Sequence, residues 1–505
     1  MSLMGIDIGT TGCKAAAFRA DGALLALAYR EYDIQRPAPG SAELDPIQVW
    51  ALIKECIREV TAATGADPVS ALTVSSLGEA VVPVSAARRI LGPSLLNFDE
   101  RGAEFLPELS GQLPAELLYT LNGNTLGNHY TLTKLLWTRT HCPELWDATY
   151  RFLHWAPFAA FMLGGEAGVD YSLANRTLLF DLDAKAWSAE LAQRAGVDTG
   201  KLPTPIPTGA IVGTVSTALA DELGLRHDVA IVLGAHDQCA NAVGCGAVEP
   251  GIAMLGMGTY FCIAPIFTQR PRAARMMPFG LNTEHAATPG QYISFIYNHG
   301  GSMLKWYRDT FAATEAASAR AEGRDLYPAL LAETPDGPSS VFVLPHFAAT
   351  GPPEFIEDSA GVILGLKLDT TRGDILKGIL EGAAFYLLEA LEPAIAAGVP
   401  VDEFRAAGGG SRGSVWLQIC ADILGRPLRK MACEEAGALG GAILAGVATG
   451  VYASIAEGAR IAAHIAGEIL PDSSNVHEYG ARFERYRRIW PCLKGLIQSQ
   501  NSIIE

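Results

Sequence analysis

The 505-residue chain has few charged residues, and among them positive charge is scarce. Asp, Glu, Lys and Arg make up 18% of the sequence, and 54 acidic residues against 38 basic ones give a formal net charge of −16. Nucleic acids and anionic membrane surfaces bind through basic patches, so this balance argues against either as the main partner. Hydrophobic residues reach 49%, and a chain of this length is expected to form two or three domains.

Several familiar signatures are also missing. The nine cysteines show neither zinc-ligand spacing nor a disulfide framework, so we expect reduced, mostly buried thiols in a cytoplasmic protein. The start MSLMGIDIG lacks the basic and apolar regions of a signal peptide. Residues 436–456 carry no charge, but their many Gly and Ala residues favour a closely packed buried helix over a membrane span. No G-x-x-x-x-G-K-[ST] motif occurs, which excludes a Walker-type nucleotide site.

Short apolar runs alternate with turn residues and helical stretches. The first 30 residues predict a β-meander with Asp21-Gly22 as a hairpin turn, and Asp45-Pro46 predicts the start of a helix that ends near Thr64. We expect buried strands at 71–76 and 229–234 and mainly helices over 103–165. This alternation predicts an α/β fold.

The opening pattern occurs a second time, about half a chain later. GIAMLGMGTYFCIAP (251–265) repeats the order of strand, Gly-Thr turn and strand, so that Gly9-Thr10 aligns with Gly258-Thr259. This repeat predicts a duplication. We therefore expect two similar domains, 1–248 and 249–505, that face each other across a cleft.

The two Gly-Thr turns are candidate phosphate sites. Backbone N–H groups of a tight glycine turn and the following hydroxyl can bind phosphate oxygens. In the first turn Lys14 can add a positive charge, and Asp7 can hold a hydrated Mg²⁺ ion. One Gly-Thr pair alone is usually a plain hairpin turn, but one in each half favours a phosphate clamp shared between the domains.

A glycine-rich segment, Gly408 to Gly413, lies between a predicted strand and an apolar helix. It satisfies the pattern G-x-G-x-x-G, which allows an NAD-dependent oxidoreductase as one interpretation. The usual fingerprint opens its own domain, however, whereas more than 400 residues precede this one. The alternative is close backbone approach to the ribose and adenine of a nucleotide, with residues 434–441 as the adjoining wall.

Polar residues follow the predicted strands and are candidates for substrate binding and catalysis. Asp237 follows the strand at 229–234 and can accept a proton from an attacking hydroxyl, or it can cap a helix; position alone favours neither. Glu79 ends the strand at 71–76 and can bind two hydroxyls, and Asp99 and Arg101 can add a second polar wall. For these three, solvated loop charges are the stronger interpretation from position alone.

Taken together and in order, these segments resemble the FGGY family of carbohydrate kinases. The resemblance covers residues 5 to about 452 and rests on GIDIGTTGCK, YTLTKLLW (130–137), DYSLANRTLLFDL (170–182), GAHDQ (234–238), LGMGT (255–259) and AGGGSRGSVWLQICADILGRP (407–427). It implies two ribonuclease H-like domains of the actin and hexokinase type around a central cleft. ATP, Mg²⁺ and a small sugar are then the expected ligands, and a homodimer is one expected assembly.

The resemblance also assigns roles by position. It implies that Asp237 is the general base and that Gly78, Glu79 and Gln238 lie in the sugar site. The residues that it places at the phosphates and the rest of the nucleotide are Thr10, Thr11, Lys14, Gly258, Thr259, Gly301, Lys305, Gly409, Gly410 and Gly413.

The expected substrate is a small ketose, first a pentulose such as D-xylulose and next L-fuculose, another ketose or a polyol. Xylulose kinases usually carry Met-His where this chain has Gly78-Glu79, which is closer to glycerol kinases and the L-fuculose-kinase-like branch. LPHFAATGPPEF (344–355) resembles that branch too. An actin- or chaperone-like ATPase and the NAD-dependent oxidoreductase are the alternative classes.

Overall fold

The structure, a computed structural model, describes residues 1–356 and 359–504. Strands and helices alternate along the chain. The strands are β1 (Ser2–Ile8), β2 (Gly12–Phe18), β3 (Leu24–Glu31), β4 (Glu43–Leu44), β5 (Val69–Ser76), β6 (Val81–Val84), β7 (Ser94–Leu95), β8 (Arg151–His154), β9 (Gly168–Asp170), β10 (Phe180–Asp181), β11 (Ala186–Trp187), β12 (Thr204–Ile206), β13 (Ile211–Thr214), β14 (Ala230–His236), β15 (Gly251–Met257), β16 (Tyr260–Phe267), β17 (Glu284–His285), β18 (Tyr292–Ile293), β19 (Ile296–His299), β20 (Phe342–Leu344), β21 (Val362–Leu364), β22 (Val401–Ala407), β23 (Leu428–Met431) and β24 (Ile465–Ile469).

The helices connect these strands and cover the sheets. In chain order they are α1 (Pro46–Ala63), α2 (Leu106–Gln112), α3 (Ala115–Asn122), α4 (Thr131–His141), α5 (Pro143–Ala148), α6 (Trp155–Leu163), α7 (Tyr171–Asn175), α8 (Ala189–Ala195), α9 (Thr217–Leu223), α10 (Asp237–Gly244), α11 (Ala273–Met276), α12 (Gly301–Phe311), α13 (Ala313–Ala321), α14 (Tyr327–Leu331), α15 (Arg372–Ala396), α16 (Ser414–Leu424), α17 (Ala436–Ala448), α18 (Ile455–Ala462), α19 (Ser473–Tyr486) and α20 (Ile489–Ile504).

Each half of the chain contains one large sheet, and the two sheets share a pairing scheme. The first has the order β13-β14-β5-β1-β2-β3, and the second has the order β17-β18-β16-β15-β22-β23-β24. In the first sheet β1 pairs antiparallel with β2 and parallel with β5, which pairs parallel with β14. In the second, β15, β16, β22 and β23 repeat these three pairings in the same sense. The topology therefore agrees with the predicted duplication.

Several local predictions are confirmed. The first three strands form the β-meander, and Asp45 caps α1 by accepting hydrogen bonds from the backbone N–H groups of Ile47 and Gln48. The strand predicted at 229–234 continues to His236, so that the next residue begins α10. The predicted helical region 103–165 is mostly helical, although β8 interrupts it.

The uncharged segment 436–456 is helical only as far as Ala448, where α17 ends, and α18 begins at Ile455. As predicted, its small residues allow close packing. A Cβ at Gly440 would lie 1.9 Å from the carbonyl oxygen of Ala240, and one at Gly244 would lie 1.8 Å from that of Ala436. The glycines therefore let α17 and α10 approach backbone to backbone. Within the described residues, no helix combines the length and the hydropathy that a membrane crossing requires.

Besides the cores within each half, one hydrophobic core joins the two halves. It includes Leu3 and Phe18 of the first sheet, Met254 and Ala264 of the second, and the buried faces of α10 and α17. Although α17 belongs to the second half of the chain, it packs against β1 and β5 of the first sheet. This packing brings the beginning of α17 to the ends of the first-sheet strands, where the candidate site lies.

Candidate active site

Asp237 lies where β14 meets α10. It is the first residue of the helix, and His236 occupies the N-cap position without a side-chain capping hydrogen bond. The carboxylate of Asp237 accepts a hydrogen bond from Nε2 of Gln238 at 3.2 Å, and His236 Nε2 lies 3.2 Å from the same oxygen, Oδ1. Its side chain is 24% exposed. Asp237 is therefore not the helix cap that position alone also allowed, and its carboxylate is open to a ligand.

The surroundings of Asp237 make it an unusually strong base for an aspartate. Burial, followed by the negative charge of Asp7, raises its pKa to about 7, and Glu79 adds a smaller contribution in the same direction. Burial, with the nearby positive charge of Arg176, holds the pKa of His236 well below its usual range. At neutral pH the imidazole is therefore uncharged, and the carboxylate can take up a proton.

Asp7 and Lys14 form a polar cluster with a residue from the other half of the chain. Ser75 Oγ donates to Asp7 Oδ1 at 3.0 Å, and Lys14 Nζ lies 3.8 Å from Asp7 Oδ2. Lys14 Nζ also donates to Oε2 of Glu435, which directly precedes α17, at 2.7 Å. Burial raises the pKa of Asp7, although the charge of Lys14 partly opposes this effect. The structure thus brings Asp7 and Lys14 together, as predicted, and adds Glu435, which the sequence prediction placed only in a wall of the nucleotide site.

Oxygen atoms of Asp7 and Asn241 converge above Gly437 in the first turn of α17. A Cβ at Gly437 would lie 3.2 Å from Asp7 Oδ2 and 3.3 Å from Asn241 Oδ1. Asn241 lies one helical turn after Asp237 on α10. The side chains of Asp7 and Asn241 therefore face the same small space between the two halves. Nothing in the sequence singled out Asn241.

The two Gly-Thr turns lie at the ends of the equivalent hairpins. Thr10 and Thr11 are half-buried and exposed, respectively, in the turn between β1 and β2, and Gly258-Thr259 is exposed between β15 and β16. The backbone N–H of Gly301, which begins α12, donates to the carbonyl oxygen of Gly258 at 2.9 Å. The start of α12 therefore rests on the second Gly-Thr turn.

The glycine-rich segment lies beside the same turn. It forms a 3₁₀ turn, Gly409–Arg412, between β22 and α16. A Cβ at Gly408 would lie 3.0 Å from the carbonyl oxygen of Met257, which precedes Gly258, whereas Gly409 faces open space. Four of the residues predicted for the nucleotide, Gly258, Thr259, Gly301 and Gly409, therefore share one region of the second half. Gly410 and Gly413 continue the segment, and Lys305 is exposed on α12.

Glu79, which also lies near Asp237, belongs to a buried ion-pair bridge. Arg176 Nε donates to Glu79 Oε1 at 2.9 Å, Arg176 Nη2 donates to the same oxygen, and Arg176 Nη1 donates to Glu284 Oε1. Glu284 lies in β17, so the bridge joins the two halves of the chain. A Cβ at Gly78 would lie 2.9 Å from His236 Nε2 and 3.2 Å from Arg176 Nε. A side chain at position 78 would therefore crowd the imidazole of His236 and the guanidinium of Arg176.

The sequence prediction did not include Arg176 or Glu284. The available signal for Arg176 was its position within the segment DYSLANRTLLFDL, of which it is the single basic residue. The aromatic rings of Tyr130 and Phe295 lie 4.9 Å and 5.9 Å from its guanidinium carbon. Both rings are buried, and they complete the walls around the bridge.

Asp99 and Arg101 form a separate ion pair. The Asp99 carboxylate is fully buried and accepts hydrogen bonds from the backbone N–H of Ala42 at 2.7 Å and from the side chain of Arg101. Arg101 also pairs with Glu43 at 2.7 Å and lies over the ring of Trp137. The structure does not bring the Asp99 side chain to the surface on which Asp237 is exposed.

Comparison with known proteins shows to which family the chain is related. Residues 2–244 match the N-terminal domain of the FGGY family of carbohydrate kinases, and residues 268–449 match its C-terminal domain. An autoinducer-2 kinase from Salmonella paratyphi A is 30% identical over 519 residues (98% of this chain, 95% of the relative), and a xylulose kinase from Bacillus subtilis is 25% identical over 496 residues (98% and 97%). The crystal structure of xylulose kinase from Rhodospirillum rubrum superposes with a TM-score of 0.86 at 26% identity, covering 99% of this chain and 100% of that one.

These matches extend over both sheets and the site between them. They confirm the predicted α/β fold with two sheet-containing domains of the actin-like ATPase type. They also confirm a phosphotransferase with an alcohol group as acceptor, and they support neither the actin- or chaperone-like ATPase nor the oxidoreductase. The chain belongs to the FGGY family of carbohydrate kinases, which use ATP.

Proposed function

We propose that the protein transfers the γ-phosphate of ATP to a hydroxyl of a small ketose and that Asp237 is the general base. The observation that carries the proposal is that Asp237 lies near two polar clusters. One contains Glu79 and its partners, and the other contains Asp7 and Lys14. A hydroxyl held beside Glu79 and a phosphate held beside Lys14 would both be next to this carboxylate.

The proposed reaction follows from these positions of the hydroxyl, the phosphate and the carboxylate. Asp237 accepts the proton of the acceptor hydroxyl as its oxygen forms a bond to the γ-phosphorus. The bond from that phosphorus to the oxygen that bridges it to the β-phosphate breaks, and ADP leaves with the electron pair. A carboxylate with a pKa of about 7 is a better proton acceptor than an ordinary aspartate, and it is still ionised in a large fraction of molecules at neutral pH.

The predicted nucleotide residues would bind the phosphates from two sides. The turn at Thr10 and Thr11, with Lys14, approaches from the first half, and Gly258-Thr259 approaches from the second. The ribose and adenine would lie against Gly409, Gly410 and Gly413, with Gly301 and Lys305 nearby. On this basis we divide the chain into domains 1–248, for the sugar and the base, and 249–505, for the nucleotide.

The residues around Asp7 fit a magnesium ion. Besides burial, the negative charge of Asp7 raises the pKa of Asp237, and a cation held near Asp7 through water would relieve that repulsion. Mg²⁺ needs few protein carboxylates, and within residues 1–356 and 359–504 no three His, Cys, Asp or Glu side chains cluster as a metal site of their own. When bound, the ion would neutralise charge that develops on the phosphate oxygens.

The acceptor is proposed from the relatives and the pocket wall. A pentulose such as D-xylulose is the first candidate, because relatives that match nearly the whole chain are named xylulose kinase. L-Fuculose is the next, because Gly78-Glu79 and LPHFAATGPPEF depart from the xylulose-kinase pattern. Autoinducer-2 joins the candidates, because the 30%-identical relative is named for it.

A coupled assay of ADP release tests the proposal. Purified protein with ATP and Mg²⁺ is offered pentuloses, ketohexoses, 6-deoxyketohexoses, alditols, glycerol and autoinducer-2 one at a time. We expect ADP release that depends on one class of acceptor, with a phosphorylated product confirmed by mass spectrometry. ADP release at the same rate with and without every acceptor would contradict the proposal.

A further inference from the structure

We propose that Glu79, Arg176 and Glu284 form a charge filter that admits neutral polyhydroxy acceptors and excludes acceptors that carry a carboxylate or phosphate group. The inference rests on the proposed kinase function and specifies the class of acceptor. It concerns a bridge of which only Glu79 was among the predicted site residues.

The positive charge of the bridge is fully engaged. Arg176 is 8% exposed, and its guanidinium donates through Nε and Nη2 to Glu79 and through Nη1 to Glu284. Tyr130 and Phe295 cover its faces. A bidentate guanidinium is the usual protein partner of a substrate carboxylate, and here both of its hydrogen-bonding edges are taken by the protein's own carboxylates.

The negative charges nearby are not fully engaged. In the described part of the chain, every hydrogen bond to the Glu79 carboxylate reaches Oε1, which leaves Oε2 open. Oε2 of Glu284 is buried and has no hydrogen-bond partner among the described residues. Two carboxylates therefore share one guanidinium, and Asp237 adds a third acidic group close to Glu79. Hydroxyl groups of an acceptor can donate to the open oxygen of Glu79 and to Asp237, whereas the surplus negative charge of the bridge would repel an anionic group.

The neighbouring histidines do not change this balance. Burial, with the charge of Arg176, lowers the pKa of His154 to about 3, and the pKa of His236 is also well below its usual range. Both imidazoles are therefore neutral near pH 7. Lys14 lies on the phosphate side and pairs with Glu435 and Asp7.

Matched acceptors test the filter. The protein is assayed with a neutral and an anionic compound of equal carbon number, for example D-xylulose or xylitol against D-xylonate, and the corresponding hexose derivatives. We expect kcat/KM for the neutral member to exceed that for the aldonate by about 100-fold or more. In Glu284→Gln, the guanidinium keeps one carboxylate partner, so that part of its positive charge is no longer neutralised by the protein. We expect the ratio of aldonate to neutral kcat/KM to rise by about 10-fold in this variant.

A control variant distinguishes loss of the charge filter from a general weakening of the contact between the two halves of the chain. Asp183 and Arg270 form another ion pair across the two halves, at 2.9 Å, in which the Asp183 side chain is 75% exposed. Asp183→Asn is expected to leave the ratio unchanged. If Glu284→Gln does not fold, Glu79→Gln removes the other partner of Arg176 and is expected to shift the ratio in the same direction.

The possible results of these assays distinguish failure of the charge filter from failure of the proposed kinase function. Aldonates that are phosphorylated as well as the neutral acceptors by the native protein would overturn the filter while the kinase function stands. An unchanged ratio in both Glu284→Gln and Glu79→Gln would overturn the role of the bridge. Calorimetric titration of the ADP-bound protein provides a measurement independent of turnover. Failure of every neutral acceptor to bind or to be phosphorylated would contradict both proposals.

Discussion

Lys14 Nζ lies 2.7 Å from Glu435 Oε2, although 421 positions separate the two residues in the chain. The contact joins the hairpin of the first sheet to the start of α17, which begins in the second half. The cation predicted for the γ-phosphate is thus already paired with an anion from the opposite half. Burial alone would lower the pKa of Lys14, but Asp7 and Glu435 outweigh it and raise the pKa above its usual value.

The pair predicts that ATP competes with Glu435 for Lys14. Glu435→Gln removes the competing charge, and the side chains are 29% and 26% exposed, so the pair contributes about 0.5–1 kcal/mol. We expect KM for ATP to fall by about twofold to fivefold in steady-state assays at saturating acceptor. Glu222→Gln is the matched control, because Glu222 pairs with Lys54 at 2.7 Å away from the predicted nucleotide residues and is expected to change KM little. A higher KM for ATP in Glu435→Gln would show that Glu435 assists nucleotide binding.

The raised pKa of Asp237 predicts the pH dependence. A base must be ionised, so kcat/KM for the acceptor should rise tenfold per pH unit below the pKa of Asp237 and level off above it. That pKa is about 7 in the free protein and is lowered when a cation near Asp7 relieves the repulsion. The profile is measured from pH 5 to 9 with the acceptor limiting. A profile already level at pH 5.5 would mean that the base has the pKa of an ordinary aspartate, or that another step limits the rate.

The same shift predicts a cost in stability. Asp237 has a folded-state pKa of about 7, above the value near 4 of the unfolded chain, so the folded state loses stability as pH rises between these values. Asp237→Asn removes the buried charge and should stabilise the protein by on the order of 2–4 kcal/mol at pH 8. Near pH 4 the stabilisation should be small. Denaturant unfolding at both pH values measures the difference, and equal effects at both would contradict the assignment.

Arg176 is expected to be a large contributor to stability. Its removal in Arg176→Gln leaves Glu79 and the fully buried Glu284 without a counter-charge, which costs about 3–5 kcal/mol for a buried pair. Arg270→Gln is the matched control, because it breaks a pair whose carboxylate partner is mostly exposed, worth about 1 kcal/mol or less. Thermal and denaturant midpoints of both variants give the comparison. Equal losses in the two variants would contradict this account of the bridge.

Much of the fold follows from local patterns. The Asp-Gly turn and Asp45-Pro46 mark element boundaries by chemistry that operates within a few residues, and the structure has the hairpin and α1 there. The repeated Gly-Thr hairpin also indicated that the two halves share one strand-pairing scheme, which the two sheets have. The helical prediction for 436–456 extended too far because composition does not locate a helix end. The chain reaches a left-handed conformation at Gly450, with φ of 77°, after α17 has ended at Ala448.

Residues of the candidate site could be predicted only where a single sequence segment contains the signal. Asp7, Lys14 and Asp237 stand at strand ends or in a hairpin, which a sequence reveals. The Arg176–Glu284 and Lys14–Glu435 pairs depend on how the two halves pack, and residues 108 and 421 positions apart leave no local signal. Asp99 had a strand-end position similar to that of Glu79, but hydrogen bonds from Ala42 and Arg101 hold it in the interior.

The central claim is that Asp237 takes the proton of the acceptor hydroxyl, and a single-turnover measurement with Asp237→Asn tests it most directly. Enzyme in excess over radiolabelled ATP is mixed with saturating acceptor, and transfer of the γ-phosphate is followed by rapid quench. ATP affinity is measured separately by titration. We predict that transfer slows by about 10²–10⁴-fold while the Kd for ATP changes by less than about threefold. Transfer at more than about a tenth of the native rate with intact ATP binding would contradict the account.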